Sequence, residues 1–108
     1  MNSIMSDSDF QIESGLYVIK FWATWCGPCK KMESTLLTLE SEFEMMKFIS
    51  VDVDQVPTLA QKYRIKTLPT LLLINNGKEV DRVTGMSLID PLRKLFREVA
   101  KSVTDPVI

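Results

Sequence analysis

Apolar residues fall into runs and repeats along this chain that predict alternating strands and helices. Residues 16–23 are almost continuously apolar, the pattern of a strand covered on both faces of a sheet. Lys20 is the one charged residue inside that run. The next segment, from about residue 27 to 44, repeats apolar residues at helical spacing, with acidic residues between them. The pattern therefore predicts a buried strand that leads directly into an amphipathic helix.

A second buried strand is predicted over residues 47–53. Asp54, which precedes Pro57, is expected to open a short helix that ends near Tyr63. The order is thus strand, helix and strand. Because such a unit needs a crossover, the two strands are expected to be parallel, with a right-handed connection.

The second half of the chain has the pattern of an antiparallel hairpin. Residues 70–74 and about 79–84 are predicted strands, and the Asn76-Gly77 turn between them is a strong hairpin signal. Gly85 ends the hairpin, and an amphipathic helix is predicted from about residue 88 to 102. The chain is therefore expected to have an α/β fold with a parallel and an antiparallel half.

The two ends of the chain are less regular. Residues 2–5 suit a short edge strand, and Ser6 or Asp7 is expected to cap a brief helix that continues to about Ser14. Residues 104–108 are predicted to form a frayed tail.

The chain's two cysteines, Cys26 and Cys29, lie at the predicted junction of strand and helix. Residues three apart in a helical turn are neighbours at about 5–6 Å, within the range that a disulfide spans. The unpaired N–H groups and the positive dipole end of the helix favour a thiolate at Cys26, which is expected to attack disulfides. Cys29, one turn further in and more buried, is expected to resolve the resulting mixed disulfide. Gly27 and Pro28 would shape the turn, since proline lacks an N–H that would have no partner there.

Two other interpretations of the cysteine pair are weaker. A structural disulfide across so short a loop would constrain the unfolded chain very little. A closed zinc site needs about four ligands, whereas the chain has two Cys and no His, so no metal is expected. The spacing therefore favours a redox-active dithiol.

Length and charge narrow the function further. A chain of 108 residues that is 45% apolar suits one domain, expected to span 1–108 with its core over about 16–102. The formal net charge of −1, without a basic block, gives no reason to expect a nucleic acid or an anionic membrane as partner. The N-terminal segment is polar and no apolar run has transmembrane length, so a cytoplasmic location is expected. In that reducing compartment a lone cysteine pair is catalytic more often than structural.

Several motifs occur in the order and spacing found in the thioredoxin family. They are Trp22-Ala23-Thr24-Trp25-Cys26-Gly27-Pro28-Cys29-Lys30, Val53-Asp54, Leu68-Pro69-Thr70, Asn76-Gly77 and Gly85. The chain thus resembles a thioredoxin from about Leu16 to the last helix. The resemblance implies the thioredoxin fold, a central mixed β-sheet flanked by helices on both faces. It also implies a monomeric protein-disulfide reductase without a bound cofactor, which receives electrons from NADPH through thioredoxin reductase and reduces disulfide-containing proteins.

The same resemblance implies a substrate groove. The Leu68-Pro69 bond is expected to be cis and to face the cysteine pair, although cis bonds before proline are uncommon. The backbone around Leu68 is expected to pair with an extended substrate segment, beside Gly27 and Pro28, while Trp25 and Gly85 line the groove. Recognition through backbone groups would suit many protein substrates.

Lys20 departs from the family pattern. It occupies the position where thioredoxins usually carry a buried Asp that assists proton transfer at the second cysteine, and Ser50 replaces the Lys that commonly pairs with that Asp. One alternative is that Lys20 extends to water or to a carboxylate such as Asp52, leaving Cys29 to pass its proton to solvent. The other is that Lys20 stays partly buried, with a lowered pKa, and acts as the base when neutral. A cation here would favour thiolates, stabilise the reduced dithiol and make the protein a better oxidant.

Two further functions are therefore compatible with the sequence. The same site could work as a more oxidising thiol oxidase or isomerase, and the reduction potential discriminates this from a reductase. Alternatively, the chain could be a thioredoxin-fold adaptor subunit in which redox chemistry is incidental. Intact Cys26 and Cys29 argue against the adaptor, because binding alone does not need two thiols at this spacing.

Overall fold

Five strands form one mixed sheet in the order β1-β3-β2-β4-β5. The strands are β1 (Asn2–Ile4), β2 (Leu16–Trp22), β3 (Met46–Asp52), β4 (Thr70–Asn75) and β5 (Lys78–Thr84). The helices are α1 (Gly27–Glu42), α2 (Pro57–Lys62) and α3 (Ile89–Thr104). β1, β3 and β2 run parallel, whereas β4 is antiparallel to both β2 and β5, which confirms the predicted parallel and antiparallel halves.

The computed structural model describes residues 1–104, and for residues 103 and 104 it describes the backbone alone. The predicted tail, residues 104–108, lies outside the described residues apart from Thr104, which ends α3. Within the described part of the chain, no helix has both the length and the apolar character needed to cross a membrane.

Successive residues of β2 point into separate cores on the two faces of the sheet. On one face, Val18 packs in a cluster with Leu36 of α1 and Phe96 of α3. On the other face, Ile19 packs in a cluster with Leu59 of α2. Helices therefore cover both faces of the central strand, which explains why its sequence is almost continuously apolar. Lys20 belongs to the α1 face, because side chains alternate along a strand.

The connection from β2 to α1 carries the cysteine pair. Residues 23–26 make the turn, in which the N–H of Cys26 donates to the carbonyl oxygen of Ala23 at 3.1 Å. Helix α1 then ends at Glu42, two residues before the predicted end, because Phe43 leaves helical geometry although its N–H still bonds Leu39. The predicted strand-to-helix junction is confirmed.

The helix predicted from Ser6 or Asp7 to Ser14 is wrong. The segment forms only a 3₁₀ turn, Asp7–Asp9, and Ser6 makes no side-chain capping bond. The hydroxyls of Ser6 and Ser8 instead hydrogen-bond to each other at 2.9 Å. Short polar side chains of this kind compete with the helical backbone for hydrogen bonds, so the helix does not extend beyond this turn. The short edge strand before this turn is confirmed.

The N-cap predicted at Asp54 is also wrong. Val56 occupies the N-cap position of α2, which ends one residue before the predicted Tyr63. The reason is a tight turn at the end of β3, where the N–H of Val56 donates to the carbonyl oxygen of Asp52 at 2.9 Å. That turn delivers the chain to Pro57 and leaves the Asp54 carboxylate available for another contact.

The hairpin of β4 and β5 turns at Asn76 and Gly77, as predicted. Both residues have positive φ values, 52° and 83°, a conformation in which Asn and Gly are tolerated best. The Asn76 side chain accepts the N–H of Gly15 at 2.8 Å, which ties the turn to the start of β2. Helix α3 begins at Ile89, one residue after the predicted start.

Candidate active site

Cys26 and Cys29 form a disulfide at the N-terminus of α1, with their Cα atoms 5.4 Å apart. Cys26 is the N-cap residue, and its Sγ accepts the backbone N–H of Cys29 at 3.2 Å. Cys29 is fully buried, whereas Cys26 retains 5% exposure. The exposed Gly27 and Pro28 form the first two positions of α1, as the sequence predicted for proline. The two sulfurs therefore differ in both accessibility and hydrogen bonding.

The loop before β4 lies against this pair. The Leu68-Pro69 peptide bond is cis, which confirms the expectation from the family resemblance. Leu68 packs against the buried cluster that contains Cys26 and Cys29. Gly85 joins the same surface, because its N–H donates to the carbonyl oxygen of Pro69 at 2.8 Å. The sequence residues proposed for the groove are thus brought together from three segments of the chain.

Trp25 extends the surface beside the cysteines. Its side chain is 69% exposed, and it lines a depression of about 420 Å³ together with Leu68, Val53 and Lys66. The indole N–H donates to Asp54 Oδ2 at 2.9 Å, which fixes the orientation of the ring.

Asp54 is the site residue that sequence reasoning missed. It lies 29 residues from Trp25, so no local spacing indicates their contact. The one available signal was its place in the Val53-Asp54 motif, but its position before Pro57 suggested a helix cap instead.

Lys20 is buried, with 4% of its surface exposed. Its ammonium lies 5.6 Å from the centroid of the Trp22 ring, and that ring packs against the cysteine cluster. Burial lowers the pKa of Lys20 below its ordinary value, and the Glu33 carboxylate acts in the opposite direction. The small exposed fraction favours the alternative in which Lys20 stays partly buried over the one in which it extends into water. Its suggested partner, Asp52, instead accepts the backbone N–H of Asp54 at 2.9 Å.

Comparisons with known proteins agree with this geometry. The family model described as Thioredoxin matches residues 4–98. Thioredoxin from Staphylococcus aureus is 41% identical over 81 residues, covering 74% of this chain and 78% of that protein. The structure of Plasmodium falciparum thioredoxin superposes with a TM-score of 0.84 at 30% identity, covering 91% of this chain and 98% of that one. Fasciola hepatica thioredoxin gives a TM-score of 0.83 at 33% identity, with the same two coverages.

These matches confirm both the fold class and the resemblance that the motifs indicated. The match spans the cysteine pair, the cis proline loop and the hairpin. The chain therefore belongs to the thioredoxin family and is a thiol–disulfide oxidoreductase that reduces protein disulfides.

Proposed function

We propose that Cys26 is the attacking nucleophile of this oxidoreductase and that Cys29 resolves the mixed disulfide. The observation that carries the assignment is the N–H of Cys29 directed at Cys26 Sγ, at the positive end of α1. On reduction, this donor and the helix dipole favour the thiolate form of Cys26. Cys29 is fully buried and has no comparable access to a substrate. The difference between the two sulfurs sets the order of the steps.

The reaction then balances as two thiol–disulfide exchanges. The Cys26 thiolate attacks one sulfur of a substrate disulfide, a bond forms between Cys26 and that sulfur, and the other substrate sulfur leaves as a thiolate. Cys29 loses its proton and attacks Cys26 Sγ, which releases the second substrate thiolate. The substrate gains two electrons and two protons, and the protein leaves with the Cys26–Cys29 disulfide.

Substrate recognition would use the surface around the cis proline. An extended substrate segment would pair with the backbone at Leu68, next to Pro69 and Gly85. Trp25, held by its bond to Asp54, would pack against substrate side chains in the adjacent depression. Because Gly27 and Pro28 are exposed, they would leave room beside Cys26 for the disulfide of the substrate.

The protein would work catalytically with a reductase partner. Family membership supports thioredoxin reductase as the electron donor, with NADPH as the source of the two electrons. We propose that the protein acts as a monomer in the cytoplasm, where disulfide-bonded proteins are its substrates. NADPH consumption that requires thioredoxin reductase, this protein and a disulfide substrate together would support the cycle; consumption unaffected by omission of this protein would contradict it.

We also propose that Lys20 modulates the dithiol. Its ammonium is separated from the cysteine cluster by the Trp22 ring, so its charge acts on the thiolates from the buried side. This charge would stabilise the reduced form and favour a more oxidising potential. Because the Trp22 ring lies between them, a neutral Lys20 would accept the proton of Cys29 only through intervening water.

The assignment of the two cysteines is tested by trapping. A Cys29→Ser variant incubated with a disulfide-bonded protein such as insulin should accumulate a mixed disulfide that dithiothreitol releases. The matched Cys26→Ser variant should form at least about tenfold less adduct, because its remaining thiol is buried. Equal trapping by both variants would overturn the order of attack. Retention of the cellular role by the double Ser variant would favour the adaptor alternative.

A further inference from the structure

Three polar side chains line up across three neighbouring strands on the α1 face of the sheet. The register places Ser3 of β1 beside Ser50 of β3, and Ser50 beside Lys20 of β2. Residues in register project from the same face, and neighbouring strands lie about 4.8 Å apart. The row therefore presents two hydroxyls and one ammonium over a width of about 10 Å.

This row forms one wall of a cavity of about 140 Å³, named the Lys20 cavity here. Lys30 and Glu33 of α1 and the Trp22 side chain also line this cavity. A single water needs only about 10–15 Å³ of such space, so the cavity has room for a small polyatomic ion.

Lys20 brings an uncompensated charge to this cavity. Only 4% of the residue is exposed, and none of the ion pairs found among residues 1–104 involves it. Its ammonium contacts the face of Trp22, while the attraction of Glu33 does not offset the burial that lowers its pKa. A buried cation is costly unless an anion or hydrogen-bond acceptors compensate it. An anion that enters the cavity would supply that compensation.

We propose that the Lys20 cavity binds a small oxyanion that carries its own O–H group, either hydrogenphosphate or bicarbonate. The ammonium groups of Lys20 and Lys30 and the hydroxyls of Ser3 and Ser50 supply donors for the anion's oxygens. The Glu33 carboxylate accepts the O–H of the anion. Sulfate has similar size but no proton at neutral pH, so Glu33 repels it. This site goes beyond the proposed dithiol function, and anion binding to the oxidised protein does not require that function.

Binding can be measured on the full, oxidised protein by ¹⁵N NMR at neutral pH. Sodium phosphate and sodium bicarbonate are titrated separately, with ionic strength held constant by chloride. Saturable shifts are expected for the amides of Ser3 and Ser50 and for the Trp22 indole, whereas the Asn76 amide in the distant hairpin stays unchanged. Saturation by one of the two anions identifies the ligand. Sulfate should bind at least about tenfold more weakly, because it confronts the Glu33 carboxylate without a proton.

Variants distinguish anion binding in the Lys20 cavity from a general attraction of anions to lysine side chains. Lys20→Met should weaken binding at least about tenfold. Lys31→Met removes the same charge from an exposed position on α1 outside the cavity and should bind like the natural protein. Glu33→Gln should allow sulfate to bind within about threefold of phosphate. If Lys20→Met does not fold, Ser50→Ala removes one donor and should weaken binding about threefold.

Four results would overturn the proposal. They are no saturable shift with either anion, equal binding of sulfate by the natural protein, unchanged affinity in Lys20→Met, and equal losses in Lys20→Met and Lys31→Met. Where Ser50→Ala has to replace Lys20→Met, unchanged affinity in that variant overturns it as well. Because the protein stays oxidised throughout, failure of the roles assigned to Cys26 and Cys29 would leave these results intact.

Discussion

Replacing Lys20 with Asp should make the dithiol a stronger reductant. The substitution converts a positive charge into a negative one behind the cysteine pair, on the α1 face of β2. The ammonium lies 5.6 Å from the Trp22 ring centroid, and Trp22 packs against the cluster that contains Cys26 and Cys29. A cation at this place stabilises the thiolates of the reduced state, and an anion destabilises them. The natural protein should therefore have the higher reduction potential.

The size of the effect follows from Coulomb's law. With an assumed separation of about 9 Å between the ammonium and the thiolate, and an effective dielectric constant of about 20, one unit charge contributes about 2 kcal/mol. Because 1.4 kcal/mol corresponds to about 30 mV for a two-electron couple, this amounts to about 40 mV per charge. Reversal of the charge should thus lower the potential by at most about 80 mV, and Lys20→Met by about half as much. Because burial lowers the pKa of Lys20, both values should decrease as the pH is raised and the ammonium loses its proton.

The reduction potential of each protein is measured by equilibration with a glutathione redox buffer, and the redox state is followed by tryptophan fluorescence. The buffer contains chloride as its only added anion, without phosphate or bicarbonate. The expected order of potentials is natural protein, Lys20→Met, then Lys20→Asp. Lys31→Asp makes the same charge change at an exposed position and should shift the potential much less. A natural potential equal to or below that of Lys20→Asp would refute the reasoning. A shift of equal size in Lys31→Asp would show that total charge, and not position, is responsible.

Three further predictions concern stability and binding. In the oxidised protein, Lys20→Met should raise the free energy of unfolding by about 1 kcal/mol at neutral pH. The difference in unfolding free energy between Lys20→Met and the natural protein should shrink as pH rises towards the ordinary pKa of 10.5, because the unfolded natural chain still holds the proton that the folded chain has lost. Urea unfolding at several pH values measures this difference, and a difference that stays constant with pH would contradict the prediction. Phe96→Ala should cost about 3–5 kcal/mol in urea unfolding, since the buried ring meets two other Phe rings edge-on; a loss below about 1 kcal/mol would show that α3 repacks. Trp25→Phe removes the hydrogen bond to Asp54 and should raise the KM for protein substrates about threefold. A lower kcat with unchanged KM would contradict a role of Trp25 in substrate binding.

Much of the fold could be predicted because its signals are local. The turn at Asn76 and Gly77 requires residues that accept positive φ, and the sequence supplies them. The junction before Cys26 was predictable because a buried strand and an amphipathic helix have different periodicities. The helix after Ser6 was predicted wrongly because a capping residue alone cannot maintain a helix. In that segment the Ser6 and Ser8 hydroxyls bind each other.

The features of the site also differ in whether local sequence predicts them. The spacing of Cys26 and Cys29 is a property of one helical turn, so their proximity followed from the sequence. The groove needed the family resemblance, because Gly85 reaches Pro69 only through tertiary folding. The contact of Asp54 with Trp25 was not predicted, since a cap position explained the same residue equally well. The surroundings of Lys20 depend on how α1 covers the sheet, which no local pattern specifies.

Lys20 links the dithiol to the Lys20 cavity. Its charge acts on the dithiol through the Trp22 ring and on the Lys20 cavity through the row it forms with Ser50. These are two effects of one ammonium group, so they cannot be independent. An anion bound in the cavity would offset the positive charge and weaken its stabilisation of the thiolates. The influence of Lys20 on the potential is therefore greatest when the cavity holds no oxyanion, which is the physical reason for measuring the potential in chloride alone.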